Sequence, residues 1–126
     1  MSMMVEVTYR TEPDGSVVHA TITGELDLDR ADEIRDSLAG AARGITAKFL
    51  RVDVSGVTFL DSYALGALVS ARNTAASAGV TLTLADPSPP VRKAIEVTGL
   101  ADVFGLPPSR PDAAGTGDPA PAADVT

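Results

Sequence analysis

Four stretches of the chain alternate apolar and polar residues with the period of two that is typical of half-buried β-strands. They are residues 5–10, 16–23, 48–54 and 80–84. The turn signal Glu12-Pro13-Asp14-Gly15 separates the first two and predicts a hairpin, because proline presets φ and glycine tolerates positive φ. The pair Ser55-Gly56 is predicted to end the third strand.

Three other stretches carry apolar residues at the spacing of a helix face. The first is predicted to follow a connection over residues 24–28, to take Asp29 as its N-cap and to end near Gly44. The second follows the third strand. The last is predicted to start at Ser88-Pro89, with serine as cap and proline at the first helical position, and to stop at Gly99.

These elements follow one another in the order β-β-α-β-α-β-α. Strands that alternate with helices favour parallel neighbours, and right-handed crossovers place the helices against the sheet. We therefore predict an α/β fold with a mixed sheet and with helices packed mainly on one face. This domain spans residues 1–106, and the Pro/Ala/Gly-rich residues 107–126 are predicted to form a disordered tail.

The dipeptide Asp61-Ser62 lies where the third strand gives way to the second helix. Aspartate and serine commonly cap helix N-termini, because their oxygens accept the unpaired backbone N–H groups there. The same N–H groups and the helix dipole also favour an added anion such as phosphate. Ser62 is therefore either a helix cap or a modifiable switch, and the local chemistry permits both.

Composition and charge narrow the class of protein. The 126 residues are 44% apolar and include no cysteine, and no run is long and apolar enough for a membrane span, so we expect a cytoplasmic domain. A net charge of −7 argues against nonspecific nucleic-acid binding and favours a basic protein partner, although it could equally serve solubility alone.

Catalytic, metal and cofactor chemistry finds little support in the sequence. The single histidine, His19, lies on the polar side of its strand, and no phosphate-binding glycine loop is present. A strand that ends in aspartate, as at Asp53, also occurs in receiver domains, where the aspartate takes a phosphoryl group. Receiver domains also need an acidic pair after the first strand and a lysine after the last, and neither is present here. We therefore predict that Asp53 is a structural residue or a hydrogen-bond anchor for the following loop. We expect no enzyme, no cofactor and no metal site.

Three segments together resemble one known family, the STAS domain of bacterial anti-sigma-factor antagonists. They are the run Gly24-Glu25-Leu26-Asp27 before a helix, the strand leading to Asp61-Ser62, and the helix from Ser88-Pro89 to Thr98-Gly99-Leu100. The resemblance covers roughly residues 5–106. It departs from the family pattern after Ser62, where Tyr63 and Ala64 replace a hydroxyl residue and a glycine.

The resemblance implies a function and a set of site residues. The serine that is phosphorylated in the family matches Ser62, and Asp27, Asp61 and Tyr63 are the expected partner-binding residues. The implied partners are an anti-sigma factor with serine-kinase activity, which binds only the unmodified antagonist, and a serine phosphatase that restores binding. The alternative is a STAS scaffold without phosphorylation, for example a subunit of a transport-associated complex, in which Tyr63 makes a fixed contact.

Overall fold

The computed structural model describes residues 5–106, which form a four-stranded sheet and three helices. The elements are β1 (Glu6–Thr11), β2 (Val17–Leu26), α1 (Leu28–Gly44), β3 (Phe49–Leu60), α2 (Ser62–Ser77), β4 (Thr81–Ala85) and α3 (Pro89–Thr98). The strands lie in the order β1-β2-β3-β4, with β1 antiparallel to β2 and the other two pairs parallel. The predicted element order and mixed sheet are confirmed. The predicted tail lies outside the described residues.

The hydrophobic core occupies one face of the sheet. It takes alternate residues of β2, β3 and β4, namely Val18, Ala20, Ile22, Leu50, Val52, Val54, Leu82 and Leu84. Buried residues of all three helices, including Ile34, Leu68 and Ile95, belong to the same cluster. Each fully buried valine, leucine or isoleucine side chain contributes about 1.5–3 kcal/mol. The prediction that the helices pack mainly on one face is confirmed.

Strand β3 differs from the prediction, because it continues through Ser55-Gly56. The register shifts there: the pair Thr21–Asp53 is followed by Thr23–Gly56, so β3 gains one residue on β2. Asp53 Oδ1 accepts a hydrogen bond from the Ser55 N–H (2.8 Å), and a Cβ at position 56 would lie 2.7 Å from Thr23 Cγ2. The turn-forming residues therefore mark a β-bulge inside the strand, and the prediction that they end it is wrong.

The junction between β2 and α1 also differs from the prediction. Residues 24–26, expected in a connection, extend β2, because the lengthened β3 offers them a pairing partner. Helix α1 then begins at Leu28 with Asp27 as its N-cap, so the prediction of an Asp29 cap is wrong. The carboxyl ends of the two central strands consequently stand side by side.

The ends of helix α3 lie where the local signals predict, although the Ser88 side chain makes no capping hydrogen bond. Helix α3 has Ser88 at its N-cap and Pro89 at its first position, and Gly99 closes it in the left-handed region with φ 71°. The Gly99 N–H donates to the Ile95 carbonyl (2.9 Å), and Phe104 then closes the core as a fully buried ring. Within residues 5–106, no helix combines the length and the apolar character needed to cross a bilayer.

Candidate functional site

The site predicted from the sequence lies where β2 and β3 end. Their last residues, Leu26 and Leu60, are paired in register, and Asp27 and Asp61 follow directly as the N-caps of α1 and α2. The Asp61 N–H donates to the Leu26 carbonyl (3.2 Å), which holds the two junctions together. The two predicted aspartates and Ser62 are thus brought to one edge of the sheet.

Asp61 caps both helices with its two carboxylate oxygens. Oδ1 accepts a hydrogen bond from the Ala64 N–H of its own helix (2.8 Å), and Oδ2 accepts one from the Leu28 N–H at the start of α1 (2.9 Å). Both donors are among the N–H groups that a helix cannot satisfy internally. The carboxylate of Asp61 is therefore a structural link between the two helices.

Asp27 occupies the equivalent place at the start of α1 but uses its backbone instead. Its carbonyl accepts hydrogen bonds from the N–H groups of Arg30 (3.0 Å) and Ala31 (2.9 Å), while its side chain makes no capping hydrogen bond. The Asp27 Oδ1 atom is buried and has no hydrogen-bond partner among residues 5–106; an Arg30 terminal nitrogen lies 3.7 Å away. The Oδ1 atom of this carboxylate is therefore an unsatisfied hydrogen-bond acceptor within the described part of the chain.

Ser62 is the first residue of α2, and its side chain is exposed. The interpretation of Ser62 as the helix cap is wrong, because Asp61 accepts the hydrogen bond from the first turn. The serine hydroxyl is thus placed at the surface beside the start of a helix and is not required to hold that helix in place.

Tyr63 turns towards α1. Its hydroxyl donates a hydrogen bond to Asp32 Oδ1 (2.8 Å), which also accepts one from the Arg35 guanidinium (3.2 Å). The hydrogen bond to Asp32 and the negative charge of that carboxylate raise the pKa of Tyr63 above its ordinary value, because both favour the protonated hydroxyl. The ring is 47% exposed and forms part of the surface around Ser62.

Several residues at this edge were not singled out by the sequence analysis. Leu28 and Phe59 expose 60% and 46% of their surface, which adds apolar area to that of Tyr63. Asp32 and Arg35 form the polar cluster that holds the tyrosine hydroxyl. The spacing of three residues between them on one helix was a usable signal for an ion pair. The exposure of the two apolar residues depends on the tertiary arrangement and had no local signal.

The remaining candidates have structural contacts. Asp53 anchors the bulge in β3, as predicted. The side chain of His19 is 25% exposed, and its Nε2 lies 2.5 Å from a carboxylate oxygen of Glu12, so it is a surface histidine with a local partner. Among residues 5–106, His, Asp and Glu side chains form no group of three or more that could hold a metal ion.

Comparison with known proteins agrees with this arrangement. The family model of the STAS domain matches residues 8–113 of the chain. The chain belongs to the STAS domain family. It is 32% identical over 100 residues to a STAS-domain containing protein of Pseudomonas aeruginosa, covering 79% of this chain and 97% of that protein. It is also 33% identical over 120 residues to a candidate anti-anti-sigma factor of Mycobacterium tuberculosis, covering 91% of this chain and 80% of that protein.

Solved STAS structures share the same architecture. An anti-sigma factor antagonist from Mycobacterium paratuberculosis superposes with a TM-score of 0.70 at 21% identity, covering 86% of this chain and 89% of that one. The antagonist SpoIIAA in its unphosphorylated form gives a TM-score of 0.61 at 26% identity, covering 77% and 84%. The murine anion transporter Slc26a9 gives 0.66 at 18% identity, covering 86% of this chain but 21% of the transporter, and shows the fold alone.

Proposed function

We propose that this STAS protein is an anti-sigma-factor antagonist that binds a serine-kinase anti-sigma factor and is switched off by phosphorylation at Ser62. The unmodified antagonist binds the anti-sigma factor and thereby frees the sigma factor, and a serine phosphatase reverses the modification. The protein works in the cytoplasm as a binding module without an active site of its own. Relatives named as antagonists support this proposal, and so do structures of SpoIIAA in both phosphorylation states.

The observation that carries the proposal is the division of work between Asp61 and Ser62. Because Asp61 caps α2, the exposed Ser62 hydroxyl can accept the γ-phosphoryl group of ATP without loss of a helix contact. The kinase takes the hydroxyl proton and releases ADP. The N-terminal end of the helix tolerates the new anion, so we expect the fold to survive phosphorylation.

The same modification disfavours a bound partner for electrostatic reasons. Phosphate adds about −1.5 to −2 charges at neutral pH, beside the carboxylates of Asp27 and Asp61. A partner that covers Leu28, Phe59 and Tyr63 must remove water from this edge, and burying the dianion without a matching cation in the interface is costly. Phosphorylation therefore acts as a change of charge on the binding surface.

The test of the modification uses purified serine-kinase anti-sigma factors from the same genome. Each is incubated with the protein and ATP, and phosphate is located by intact mass and peptide mapping. We expect one phosphate on Ser62, lost in Ser62→Ala. Ser70→Ala is the matched control, since Ser70 is exposed on the same helix. Phosphate on another residue, or none with any kinase, would refute the proposed switch.

The test of binding uses the kinase that phosphorylates the protein. We expect Ser62→Ala to bind as the wild type does and Ser62→Asp to bind about tenfold or more weakly, because it places a charge on the covered surface. Asp27→Asn should also weaken binding, since it removes the available carboxylate. Equal affinity of Ser62→Asp and wild type would count against the switch.

The acidic residues at the start of α1 should speed association with a basic partner. Asp29 and Glu33 add negative charge close to Asp27 and Asp32, while Arg30 and Arg35 compensate in part. Charges at this surface are screened over about 8 Å at physiological salt, so added salt should slow association with a basic partner. An association rate that does not change with salt concentration would contradict electrostatic steering.

A second function is favoured by one contact. The hydrogen bond between Tyr63 and Asp32 fixes the ring beside Ser62, as expected for a permanent docking residue of an unphosphorylated scaffold. Replacing Tyr63 with serine separates the two functions. If the ring only hinders a kinase, phosphorylation of Ser62 becomes faster; if the ring anchors a partner, binding of that partner becomes weaker.

A further inference from the structure

Ser62 and a cation of the neighbouring helix α1 line the same depression on the surface. Ser62 and Tyr63 of α2 and Asp32 and Arg35 of α1 line one surface depression of about 310 Å³. Arg35 is the positively charged residue among those that line it. A phosphate group attached to Ser62 would enter the space that this arginine borders.

The guanidinium of Arg35 is held by two exposed carboxylates and still has donors to offer. One terminal nitrogen lies 3.2 Å from Asp32 Oδ1 and Nε lies 3.0 Å from Asp36 Oδ1. Among residues 5–106, no contact uses the second terminal nitrogen. Exposed ion pairs of this type contribute little to stability, so exchanging one of them costs little. A guanidinium matches the oxygens of carboxylate and phosphate alike with parallel N–H donors, and the phosphate competes better because it carries about −1.5 to −2 charges at neutral pH.

The carboxylates around Ser62 make a nearby positive side chain important once Ser62 is phosphorylated. Asp27 and Asp61 lie at the adjoining strand ends, and Asp32 and Asp36 lie along α1. A dianion on Ser62 is repelled by these four carboxylates unless a positive group meets it. Of the two arginines in this part of α1, Arg30 lies 3.7 Å from Asp27, whereas Arg35 borders the depression.

We propose that Arg35 is the intramolecular receptor for the phosphate group of phosphorylated Ser62. The guanidinium exchanges Asp32 for phosphate oxygens and keeps Asp36 through Nε, while the hydroxyl of Tyr63 remains on Asp32. The phosphate is then held against α1, where it is less accessible to a phosphatase. This inference rests on the proposed phosphorylation of Ser62, and it adds a residue that controls the lifetime of the modified state.

The experiment installs phosphoserine at position 62 of the full chain during translation, so that no kinase is needed. Phosphorus NMR then follows the second ionisation of the phosphate with pH. A nearby cation favours the dianion, so Arg35→Gln should raise the pKa of the phosphate by about half a pH unit or more. Arg43→Gln is the matched control, because it removes the same charge from an exposed residue in the last turn of α1.

A second readout measures protection of the phosphate. Alkaline phosphatase should release phosphate from the Arg35→Gln protein several-fold faster than from the wild type, with Arg43→Gln unchanged. A phosphate pKa that does not move in Arg35→Gln, or moves equally in Arg43→Gln, would overturn the inference. These results do not depend on a kinase, so failure of the proposed phosphorylation is detected separately by the kinase assay.

Discussion

Asp27 and Asp61 occupy equivalent places in the fold yet use their side chains differently. Each is an N-cap with extended backbone, directly after the last residue of a central parallel strand. The carboxylate of Asp61 accepts two backbone hydrogen bonds, one on each helix, whereas that of Asp27 accepts none among residues 5–106. Two aspartates that look alike in sequence thus divide into one whose carboxylate links two helices and one whose carboxylate accepts no hydrogen bond within the described residues.

The largest expected effect on stability is that of Asp61→Ala. The substitution removes the cap of α2 and leaves the Leu28 N–H of α1 without its acceptor, so we expect a loss of about 2–4 kcal/mol in the free energy of unfolding. Urea denaturation measures it. The matched variant Asp27→Ala, which loses only the Arg30 pair, should cost less than about 1 kcal/mol. Equal losses would contradict the division of roles.

Asp61→Asn sharpens the comparison. An asparagine side chain has one acceptor oxygen, so it can serve Ala64 or Leu28 but not both. We expect the free energy of unfolding to fall by about 1–2 kcal/mol, which is less than the loss expected for Asp61→Ala. Amide hydrogen exchange at Ala64 and Leu28 should show which helix loses protection. Unchanged protection at both amides would mean that the shared carboxylate is not essential.

Ser62→Ala should barely alter stability. Because the cap belongs to Asp61, removing an exposed hydroxyl from the first position of α2 should change the free energy of unfolding by less than about 0.5 kcal/mol. The same urea series measures this variant. A loss comparable to that of Asp61→Asn would restore Ser62 as a capping residue.

The smallest effect concerns the ionisation of Tyr63. In a Tyr9→Phe background Tyr63 is the only tyrosine, and Asp32→Asn should lower its pKa towards the ordinary value by removing the carboxylate that stabilises the protonated hydroxyl. Absorbance of the tyrosinate measures this pKa, with Asp29→Asn as control.

A raised pKa of Tyr63 means that any stability from its contact with Asp32 is present at neutral pH and is lost as the pH rises through that pKa. An unchanged titration in Asp32→Asn would show that the hydrogen bond is not kept in solution.

Local signals in the sequence were sufficient to predict much of the fold. Alternation identified the strands, and the start of α3 at Pro89 and its stop at Gly99 depend on residues that act on their own backbone. The junction at Asp61-Ser62 was located for the same reason. What could not be assigned was which of the two side chains caps the helix, because aspartate and serine are similar capping residues.

The wrong predictions concern residues whose contacts are made with segments far away in the sequence. Ser55-Gly56 reads locally as a strand end, and only its pairing with β2 turns it into a bulge. The hydrogen bond from Leu28 to Asp61 joins residues 33 apart in sequence, and that from Tyr63 to Asp32 joins residues 31 apart. No window of residues used to identify a helix or a strand contains both members of such a pair.

The shared carboxylate of Asp61 has a consequence for the order of folding. A helix cap is usually supplied by the neighbouring residue, so a helix can complete its first turn by itself. Helix α1 instead receives a cap acceptor from the far side of a strand crossover, after β2 and β3 have aligned their ends. We therefore expect the first turn of α1 to fray in any state in which the sheet is unformed. Completion of this helix then reports that the long-range contacts of the domain are in place.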